Sequence, residues 1–277
     1  MRSLRNKTVV ITGASSGIGR AAALAFARRG SNIVLAARRV DMLEEAKAEV
    51  ESLGVKALVV PTDVTDLWQV QRLLDASIEH FGQIDVLVNN AGAGILGSFI
   101  ETPIENIKQL FDLNVIGAAA VMQAGLKTME RQGWGVVLNV SSVGGILPTP
   151  YMSIYNATKA ALTALSESAN AEYFGTPIKI VAFCPAMTAS EFGKSTKRVG
   201  RYQQWVDAGG KMKASSEWVA DRLVKAALKP KPLIMLGWFS LPSLIIKLLT
   251  PPLYYHIIRL YKDRMEKENP EEQQNRR

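Results

Sequence analysis

The 277-residue sequence is poor in the residues that build disulfides and metal sites, with one cysteine and two histidines. Cys184 has no partner for an internal disulfide, which favours a reducing compartment. It lies in an apolar run, IVAFC, and is predicted to be a core residue rather than a nucleophile. So few cysteines and histidines argue against a transition-metal site. We therefore expect any acid–base chemistry to rest on other side chains.

Long apolar runs are also missing. No uninterrupted apolar segment reaches the roughly 18–20 residues that a membrane-spanning helix requires. The N-terminal segment, MRSLRNKTVVIT, lacks the apolar core and the cleavage site of a signal peptide. These absences predict a cytoplasmic protein.

The net charge of +8 is unevenly distributed. Basic and acidic residues balance at 16 each over 1–190, whereas 191–277 contains 17 basic and 9 acidic residues. This asymmetry indicates either an anionic partner near the C-terminal part or an ordinary solvated basic surface. The basic residues form no nucleic-acid recognition motif, so no nucleic-acid partner is predicted.

Short β-branched runs alternate with amphipathic segments along most of the chain. The predicted strands are 7–12, 32–37, 56–60, 84–90, 135–140, 179–184 and 232–237, and helical patterns between them include 17–29, 41–53 and 66–81. Near-continuous apolar strands connected by helices are typical of a parallel sheet covered on both faces. The fold class is α/β: a doubly wound seven-stranded parallel sheet in a three-layer α/β/α arrangement.

We expect one domain over 1–262, with a hydrophobic helical extension from about 239. A charged, flexible tail is predicted over 263–277, where Glu, Lys, Gln and Arg dominate.

A glycine-rich turn, TGASSGIGR, follows the first predicted strand and opens the first helix. Gly13 permits the sharp exit from the strand, Gly17 allows close approach of a bound group, and Gly19 allows the helix to pack tightly. The helix N-terminus would offer free N–H groups and partial positive charge to a phosphate. The predicted dinucleotide contacts are Gly13, Ser15, Ser16, Gly17, Ile18 and Gly19.

Tyr155 and Lys159 occur in YNATK, four residues apart and therefore on the same helix face. An adjacent ammonium favours the phenolate, so we expect Lys159 to lower the pKa of Tyr155. Tyr155 would then be the acid–base group. A serine pair, Ser141 and Ser142, ends a predicted strand and offers a hydroxyl that can stabilise charge on a reacting oxygen.

Five motifs in register resemble the short-chain dehydrogenase/reductase family. They are TGASSGIG at 12–19, NNAG at 89–92, Asn114 in LNVIG, Ser142, and YNATK at 155–159, and the resemblance covers about residues 5–235. It implies a Rossmann fold, a nicotinamide cofactor, and hydride transfer between that cofactor and a carbonyl or alcohol carbon. The family spacing selects Ser142 over Ser141. It also implies that Lys159 contacts the nicotinamide ribose, and that Asn114 holds a water linking Lys159 to solvent.

The end of the second strand bears on the choice of cofactor. Where an acidic residue would bind the ribose of NAD, the chain has Ala37, followed by Arg38 and Arg39. Guanidinium groups bind phosphate, so NADP(H) is predicted over NAD(H). Arg38 is the predicted ligand, and Arg39, for which a surface charge is the alternative, is not counted as one.

The resemblance supplies further cofactor contacts. They are Asp63 and Val64 near the adenine, Asn90, Ala91 and Gly92 at the floor of the cleft, and Pro185 and Thr188 near the nicotinamide. The chain has Ala186 where the family usually has glycine after the proline. Thr188 and Ser190 remain alternative donors to the nicotinamide amide.

Three segments are expected to form the substrate pocket: 93–98, 144–152 and the loop 187–213. The second contains Ile146, Leu147, Pro148 and Met152, which would form either an apolar wall or ordinary loop packing. The loop carries several cations and aromatic residues, namely Lys194, Lys197, Arg198, Arg201, Lys211, Lys213, Phe192, Tyr202 and Trp205. A basic lid over an apolar pocket would suit an acyl chain on an anionic carrier.

Residues 238–262 read as short helical pieces broken by Pro242, Pro251 and Pro252. Their aliphatic and aromatic residues are interrupted by Lys247, Arg259 and Lys262. This pattern indicates peripheral contact with a membrane, or else an oligomer contact or a cover for the substrate cleft.

These features predict an NADP(H)-dependent oxidoreductase that reduces a ketone or aldehyde carbonyl, 3-oxoacyl groups included. Catalysis would use Asn114, Ser142, Tyr155 and Lys159. The alternatives are a dehydrogenase that oxidises a secondary alcohol, such as a steroid or another lipid, and a module that binds NADP without turnover. The substrate is expected to be apolar, and the assembly a homodimer or homotetramer.

Overall fold

The computed structural model describes residues 3–189, 192, 196–202 and 214–268. Seven strands form one parallel sheet in the order β11-β7-β6-β4-β1-β2-β3. Their bounds are β1 Thr8–Thr12, β2 Asn32–Ala37, β3 Ala57–Pro61, β4 Val86–Asn89, β6 Gly135–Val140, β7 Ile178–Cys184 and β11 Leu233–Met235. This confirms the predicted seven-stranded, doubly wound sheet. Each strand lies within one or two residues of its predicted bounds.

Helices cover both faces of the sheet. They are α1 Gly17–Ala27, α2 Val40–Glu51, α3 Leu67–Phe81, α4 Ile104–Phe111, α5 Ala118–Gln132, α6 Ser153–Glu172, α7 Ser216–Leu228, α8 Ser240–Leu249 and α9 Pro251–Glu268. A six-residue π-helix, Asp112–Gly117, joins α4 to α5. Two short parallel pairs lie outside the main sheet: β5 (Ile95–Leu96) with β9 (Lys197–Arg198), and β8 (Thr188–Ala189) with β10 (Ala214–Ser215).

Successive side chains of each strand pack alternately against the two helical layers. In β1, Val9 and Ile11 belong to the apolar cluster on one face of the sheet, and Val10 belongs to the cluster on the other. Side chains alternate along a strand, so a strand buried on both faces must be apolar throughout. This is why the strands read as continuous apolar runs.

The order of the strands positions the site. The chain begins in the centre with β1, proceeds outward to β3, and then returns with β4 on the other side of β1. A cleft therefore opens at the carboxyl ends of β1 and β4, where the connections diverge. The predicted glycine turn and the NNAG motif both lie at this point.

The C-terminal region forms two helices rather than several short pieces. Pro242 lies in the first turn of α8, where a proline does not remove an intrahelical hydrogen bond, and Pro251 begins α9. The predicted breaks at Pro251 and Pro252 therefore appear as one boundary between helices, and the predicted break at Pro242 is wrong.

The predicted start of a flexible tail at residue 263 is also wrong, because α9 continues to Glu268. Met265 is buried with Leu96 and Tyr202, and the hydroxyl of Tyr151 donates a hydrogen bond to Glu266. These contacts with distant parts of the chain hold the last turns in place. Residues 269–277 lie outside the described residues. Within the described part of the chain, every helix is too short or too polar to cross a membrane.

Candidate active site

The glycine turn brings the start of α1 close to the end of β1. Gly13 and Gly17 both adopt left-handed backbone angles, with φ of +65° and +54°, which favour glycine. A Cβ on Gly19 would lie 2.1 Å from the carbonyl oxygen of Gly13. Ser15 is buried and Ser16 precedes the first helical residue, while Ile18 packs on the core. The turn thus leaves a cradle without side chains at the positive end of α1.

The NNAG motif is tied to this turn through Thr12. The Thr12 hydroxyl accepts hydrogen bonds from the backbone N–H groups of Asn90 and Ala91, at 2.9 and 3.0 Å. The Asn90 amide in turn donates to the Thr12 carbonyl at 3.0 Å. These bonds hold the floor of the cleft against the glycine turn. Thr12 was not among the predicted site residues, since a threonine that ends a strand carries no distinguishing signal.

Two arginines follow β2 and have different surroundings. Arg38 is largely exposed and lies 3.8 Å from Asp63, whose carboxylate also accepts hydrogen bonds from the Thr65 backbone and hydroxyl. Arg39 instead donates to the hydroxyls of Ser15 and Ser16, at 3.0 and 2.7 Å.

Arg39 is exposed, as the interpretation of it as a surface charge expects, and its guanidinium also lies on the glycine turn. The sequence signal for this arginine is its place two residues after the end of β2. Val64 is buried beside Gly117, where a Cβ would approach the Val64 carbonyl oxygen to 2.8 Å.

Asn114 lies in the π-helix and is fully buried. Its side-chain oxygen accepts from the backbone N–H of Ala93 at 3.0 Å, and its amide donates to the Ala93 carbonyl and to the Thr158 hydroxyl. Asn114 thus joins the loop after β4 to α6. π-Helical turns occur frequently at functional sites because they redirect one side chain or carbonyl.

The two serines after β6 have separate environments. The Ser141 hydroxyl donates to the Lys159 carbonyl at 2.8 Å and lies 2.8 Å from the Thr163 hydroxyl, inside the core. The Ser142 hydroxyl accepts from the Gly144 backbone N–H at 3.0 Å and interacts with Tyr155. Of the two, only Ser142 therefore has its hydroxyl at the tyrosine.

Gly144 and Gly145 allow this loop to lie directly on α6. A Cβ on Gly145 would come within 2.6 Å of the Lys159 backbone, and one on Gly144 within 2.6 Å of the Asn156 side chain. Both glycines begin the segment 144–152 that was expected at the substrate pocket, but sequence reasoning did not predict their close contact with α6.

Tyr155 and Lys159 lie on one face of α6, as predicted. The Lys159 ammonium lies 5.9 Å from the centre of the Tyr155 ring and donates to the Val140 carbonyl at 2.9 Å. It also approaches Gly92, where a Cβ would lie 3.4 Å from the ammonium nitrogen and 3.0 Å from the Asn114 oxygen. The four predicted catalytic side chains and the end of NNAG therefore converge on one part of the cleft.

The expected acidification of the phenol is wrong. Burial raises the pKa of Tyr155 to about 12, and the hydrogen bond with Ser142 only partly opposes this effect. Burial also lowers the pKa of Lys159 to about 8. Desolvation disfavours both charged forms, and it outweighs the attraction that the spacing predicted.

Part of the loop 187–213 closes over the tyrosine. The Phe192 ring lies 5.4 Å from the Tyr155 ring, and β9 pairs with β5 next to the NNAG motif. Lys197 donates to the Asn106 side chain at 2.6 Å. Ser190, Lys194, Trp205, Lys211 and Lys213 lie outside the described residues, as does the side chain of Arg201.

The residues expected near the nicotinamide lie at the end of β7. The Pro185 carbonyl accepts from the Val143 backbone N–H at 3.0 Å, and the Thr188 hydroxyl donates to the Ala186 carbonyl at 3.0 Å. The hydroxyl of Thr188 is thus bonded within its own loop, and the alternative donor, Ser190, lies outside the described residues.

The expected apolar wall over 144–152 belongs mainly to the packing of the C-terminal helices. Leu147 is buried with Val143 and Tyr254, and the partly buried Ile146 joins them. Met152 packs on the cluster of Leu96, Tyr202 and Met265. The alternative interpretation, ordinary packing of the loop, therefore holds for these three residues.

A cleft of about 360 Å³ extends from Arg38 and Asp63 to Ala93, Ile95 and Lys197. The glycine turn does not line this cleft, but the groups at the ends of β1 and β2 fit a dinucleotide. The glycine cradle and the N-terminus of α1 suit a pyrophosphate, and the cations after β2 suit a second phosphate. Within the described ranges, no three His, Cys, Asp or Glu side chains cluster as metal ligands.

Comparison with known proteins identifies the family. The model of the short-chain dehydrogenase family matches residues 7–199. An uncharacterized oxidoreductase of Staphylococcus epidermidis is 34% identical over 230 residues, which is 83% of this chain and 94% of that protein. The chain therefore belongs to the short-chain dehydrogenase/reductase family and is an oxidoreductase of that type with a nicotinamide cofactor.

Solved structures agree with this assignment. A short-chain dehydrogenase/reductase from Burkholderia phymatum in complex with NAD has a TM-score of 0.83 at 27% identity, covering 91% of this chain and 96% of that one. An alcohol dehydrogenase from the archaeon Thermococcus sibiricus, complexed with 5-hydroxy-NADP, has a TM-score of 0.71 at 30% identity, covering 83% and 95%.

The Gly19→Ala substitution tests the glycine cradle. A methyl group 2.1 Å from the Gly13 carbonyl would force α1 away from β1. We expect dinucleotide affinity to fall by at least about 10-fold, since the backbone donors of the turn move with the helix. Fluorescence titration with NADPH measures the affinity, and thermal unfolding monitors the fold.

Gly54→Ala is the control, because a Cβ on Gly54 meets no atom within 4 Å, although Gly54, unlike Gly19, has a positive φ. It should lose some stability and keep its affinity. Equal affinities of Gly19→Ala and the unsubstituted protein would contradict the proposed role of the close approach.

Proposed function

We propose that this protein is an NADP(H)-dependent reductase of apolar ketones or aldehydes. The observation that carries this proposal is the state of Tyr155. Its phenol lies beside the Ser142 hydroxyl and the Lys159 ammonium, and burial holds its pKa at about 12, so that it is protonated at neutral pH. A protonated phenol next to a second hydroxyl suits protonation of a carbonyl oxygen.

The roles of the side chains follow from their positions. A bound reduced nicotinamide supplies a hydride for the carbonyl carbon. Tyr155 gives its phenolic proton to the carbonyl oxygen, and Ser142 donates a hydrogen bond to the same oxygen as charge develops. The carbonyl thereby gains one hydride and one proton and becomes an alcohol. Lys159 stabilises the phenolate that remains, and Asn114 holds the loop after β4 against α6.

Reduction is favoured over the alternative, oxidation of a secondary alcohol. Oxidation starts with removal of the alcohol proton, which needs the phenolate form of Tyr155. A pKa of about 12 leaves very little phenolate at neutral pH. All four candidate catalytic positions carry the expected residue types, and their side chains converge in one cleft. This arrangement also disfavours a module that binds NADP without turnover.

The cofactor preference rests on residues of this chain, since related structures contain either NAD or an NADP derivative. No carboxylate ends β2, where Ala37 stands, and Arg38 and Arg39 follow it. Arg39 reaches the glycine turn and Arg38 lies next to Asp63. Two guanidinium groups in this position suit the additional phosphate of NADP.

The surroundings of Tyr155 favour an apolar substrate. Tyr155 packs with Ala93 against a buried cluster of Ile95, Leu110, Ile154 and Val199, and the ring of Phe192 covers it. The hypothesis of an acyl chain on an anionic carrier depends mainly on cations that lie outside the described residues. The ammonium of Lys197, which is described, donates a hydrogen bond to the side chain of Asn106. A homodimer or homotetramer stays a prediction.

The Tyr155→Phe substitution tests the proposal that Tyr155 is the proton donor. Because it removes only the phenolic proton donor, NADPH-dependent reduction of an apolar ketone should fall by at least about 100-fold while NADPH affinity changes little. Cofactor oxidation followed by absorbance measures the rate, and fluorescence titration measures binding. Tyr173→Phe, whose hydroxyl contacts Glu130 on the surface, is the matched control and should keep full activity. Substantial turnover by Tyr155→Phe would refute the assignment.

Arginine substitutions test the cofactor preference. Arg38→Ala combined with Arg39→Ala removes both cations that follow β2, so kcat/KM for NADPH should fall by about 10- to 100-fold while that for NADH changes much less. Steady-state kinetics with each cofactor measure the ratio. Arg29→Ala, at an exposed position after α1, is the control. An unchanged NADPH-to-NADH ratio in the double variant would remove this part of the proposal.

The pH dependence of reduction should reflect Lys159. Its pKa is lowered to about 8, so the ammonium is present below that pH and is lost above it. Since the ammonium stabilises the phenolate formed by proton transfer, kcat should decline above about pH 8, well before the phenol itself ionises. A pH–rate profile from about pH 6 to about pH 10 tests this. A rate that stays constant through that range would show that the charge on Lys159 does not matter.

A further inference from the structure

Helix α8 carries apolar residues on its exposed side as well as on the side that packs against the body of the protein. Leu241, Ile245 and Leu248 recur at the spacing of one helix face and are 61%, 47% and 68% exposed. Leu249 and Trp238, next to them in sequence, are 77% and 82% exposed. The helix of a soluble domain normally turns such a stripe towards the core. Here the stripe faces outward.

Helix α9 repeats the pattern. Leu253, Ile257 and Leu260 have the same spacing and are 49%, 44% and 55% exposed. Arg264 continues this stripe by one more turn. The two helices pack against each other. Their exposed stripes, which we call the outer face, consist of Leu241, Ile245, Leu248, Leu253, Ile257 and Leu260.

The opposite sides of the same helices are held firmly by the body of the protein. Lys247 donates to the Ile146 carbonyl at 2.6 Å, Tyr254 is buried beside Leu147, and Met265 is buried beside Tyr202. The outer face is therefore not a core surface exposed by loose packing. Large contiguous apolar surfaces of this kind mark sites of interaction with another molecule or with a membrane.

Charge and aromatic residues around the outer face identify the partner. Between 232 and 258 the chain has a single charged residue, the cation Lys247, and no acid. Exposed cations lie on both sides of this stretch, including Lys229, Lys231 and Arg259. Trp238 and Tyr255, which is 65% exposed, lie at its edges. Aliphatic stripes with cations and amphipathic aromatic residues at their borders fit the boundary between lipid headgroups and acyl chains.

We propose that the outer face of α8 and α9 docks on the surface of a bilayer that contains anionic phospholipid. Leu241, Ile245, Leu248, Leu253, Ile257 and Leu260 enter the boundary between headgroups and acyl chains, and the flanking cations contact the phosphates. The helices lie along the surface, since neither of them is able to span it. A second copy of the chain, which would place the same apolar residues against each other, is the alternative occupant that the test below separates.

Docking would place the substrate side of the enzyme next to the lipid. The inner faces of α8 and α9 contact residues 146–151, in the loop between Ser142 and Tyr155. An apolar substrate dissolved in the bilayer would then lie close to the cleft. The docking proposal itself does not depend on the direction of the reaction or on the cofactor.

The test is flotation of the full-length protein with vesicles of phosphatidylcholine mixed with phosphatidylglycerol. Combined Leu241→Gln, Ile245→Gln and Leu248→Gln should weaken binding by about 10-fold or more, since three aliphatic groups no longer enter the bilayer. The control is Leu67→Gln, Ile104→Gln and Phe174→Gln, because these residues are 64%, 68% and 69% exposed elsewhere, on α3, on α4 and in the turn after α6. It should float like the unsubstituted protein.

Further measurements distinguish docking on an anionic bilayer from contact with a second copy of the chain. Arg259→Gln with Lys231→Gln, and vesicles of phosphatidylcholine alone, should each weaken binding, because both remove the attraction between cations and phosphate. Light scattering gives the mass of the unsubstituted protein and of the stripe variant. Failure of the unsubstituted protein to float, or equal flotation of the stripe variant, overturns the proposal. A stripe variant that only loses subunits assigns the face to a second copy instead. NADPH-dependent activity in solution, measured in parallel, tests the proposed function separately.

Discussion

The buried ammonium of Lys159 is the constraint around which the site is organised. It lies at the junction of β6, α6 and the loop after β4, where it donates to the Val140 carbonyl and faces Gly92 and Asn114. A cation that is removed from water needs other hydrogen-bond acceptors. The carbonyl at the end of β6, with its partial negative charge, is such an acceptor. This requirement fixes the register of α6 on the sheet. Tyr155, one turn away on the same helix, is positioned with it.

The same desolvation decides the electrostatics of the pair. Spacing alone predicted that the ammonium would acidify the phenol, but burial raises the pKa of Tyr155 and lowers that of Lys159. Both groups are biased towards their neutral forms, which supports a proton donor more than a proton acceptor. The proposed direction of reaction follows from the environment of the residues and not from their identity.

The C-terminal helices connect this site to the surface of the molecule. Their inner faces hold the loop between Ser142 and Tyr155, through Lys247, Tyr254 and Glu266. Leu147, which was predicted to form part of an apolar pocket wall, is instead buried under these helices. Aliphatic stripes on the outer face remain exposed. One pair of helices thus contacts the substrate loop on one side and presents a surface suited to lipid on the other.

The sequence by itself determined the family, the seven strands and the glycine turn and tyrosine–lysine pair around which the site is built. Those features depend on local patterns: apolar runs buried on both faces, glycines that a tight turn requires, and a tyrosine and a lysine one turn apart. The tertiary structure decided which serine faces the tyrosine, that Arg39 reaches the glycine turn, and that α9 continues past residue 263. It also decided the protonation of Tyr155 and Lys159. These outcomes depend on burial and on contacts between residues far apart in the chain, which no local pattern encodes.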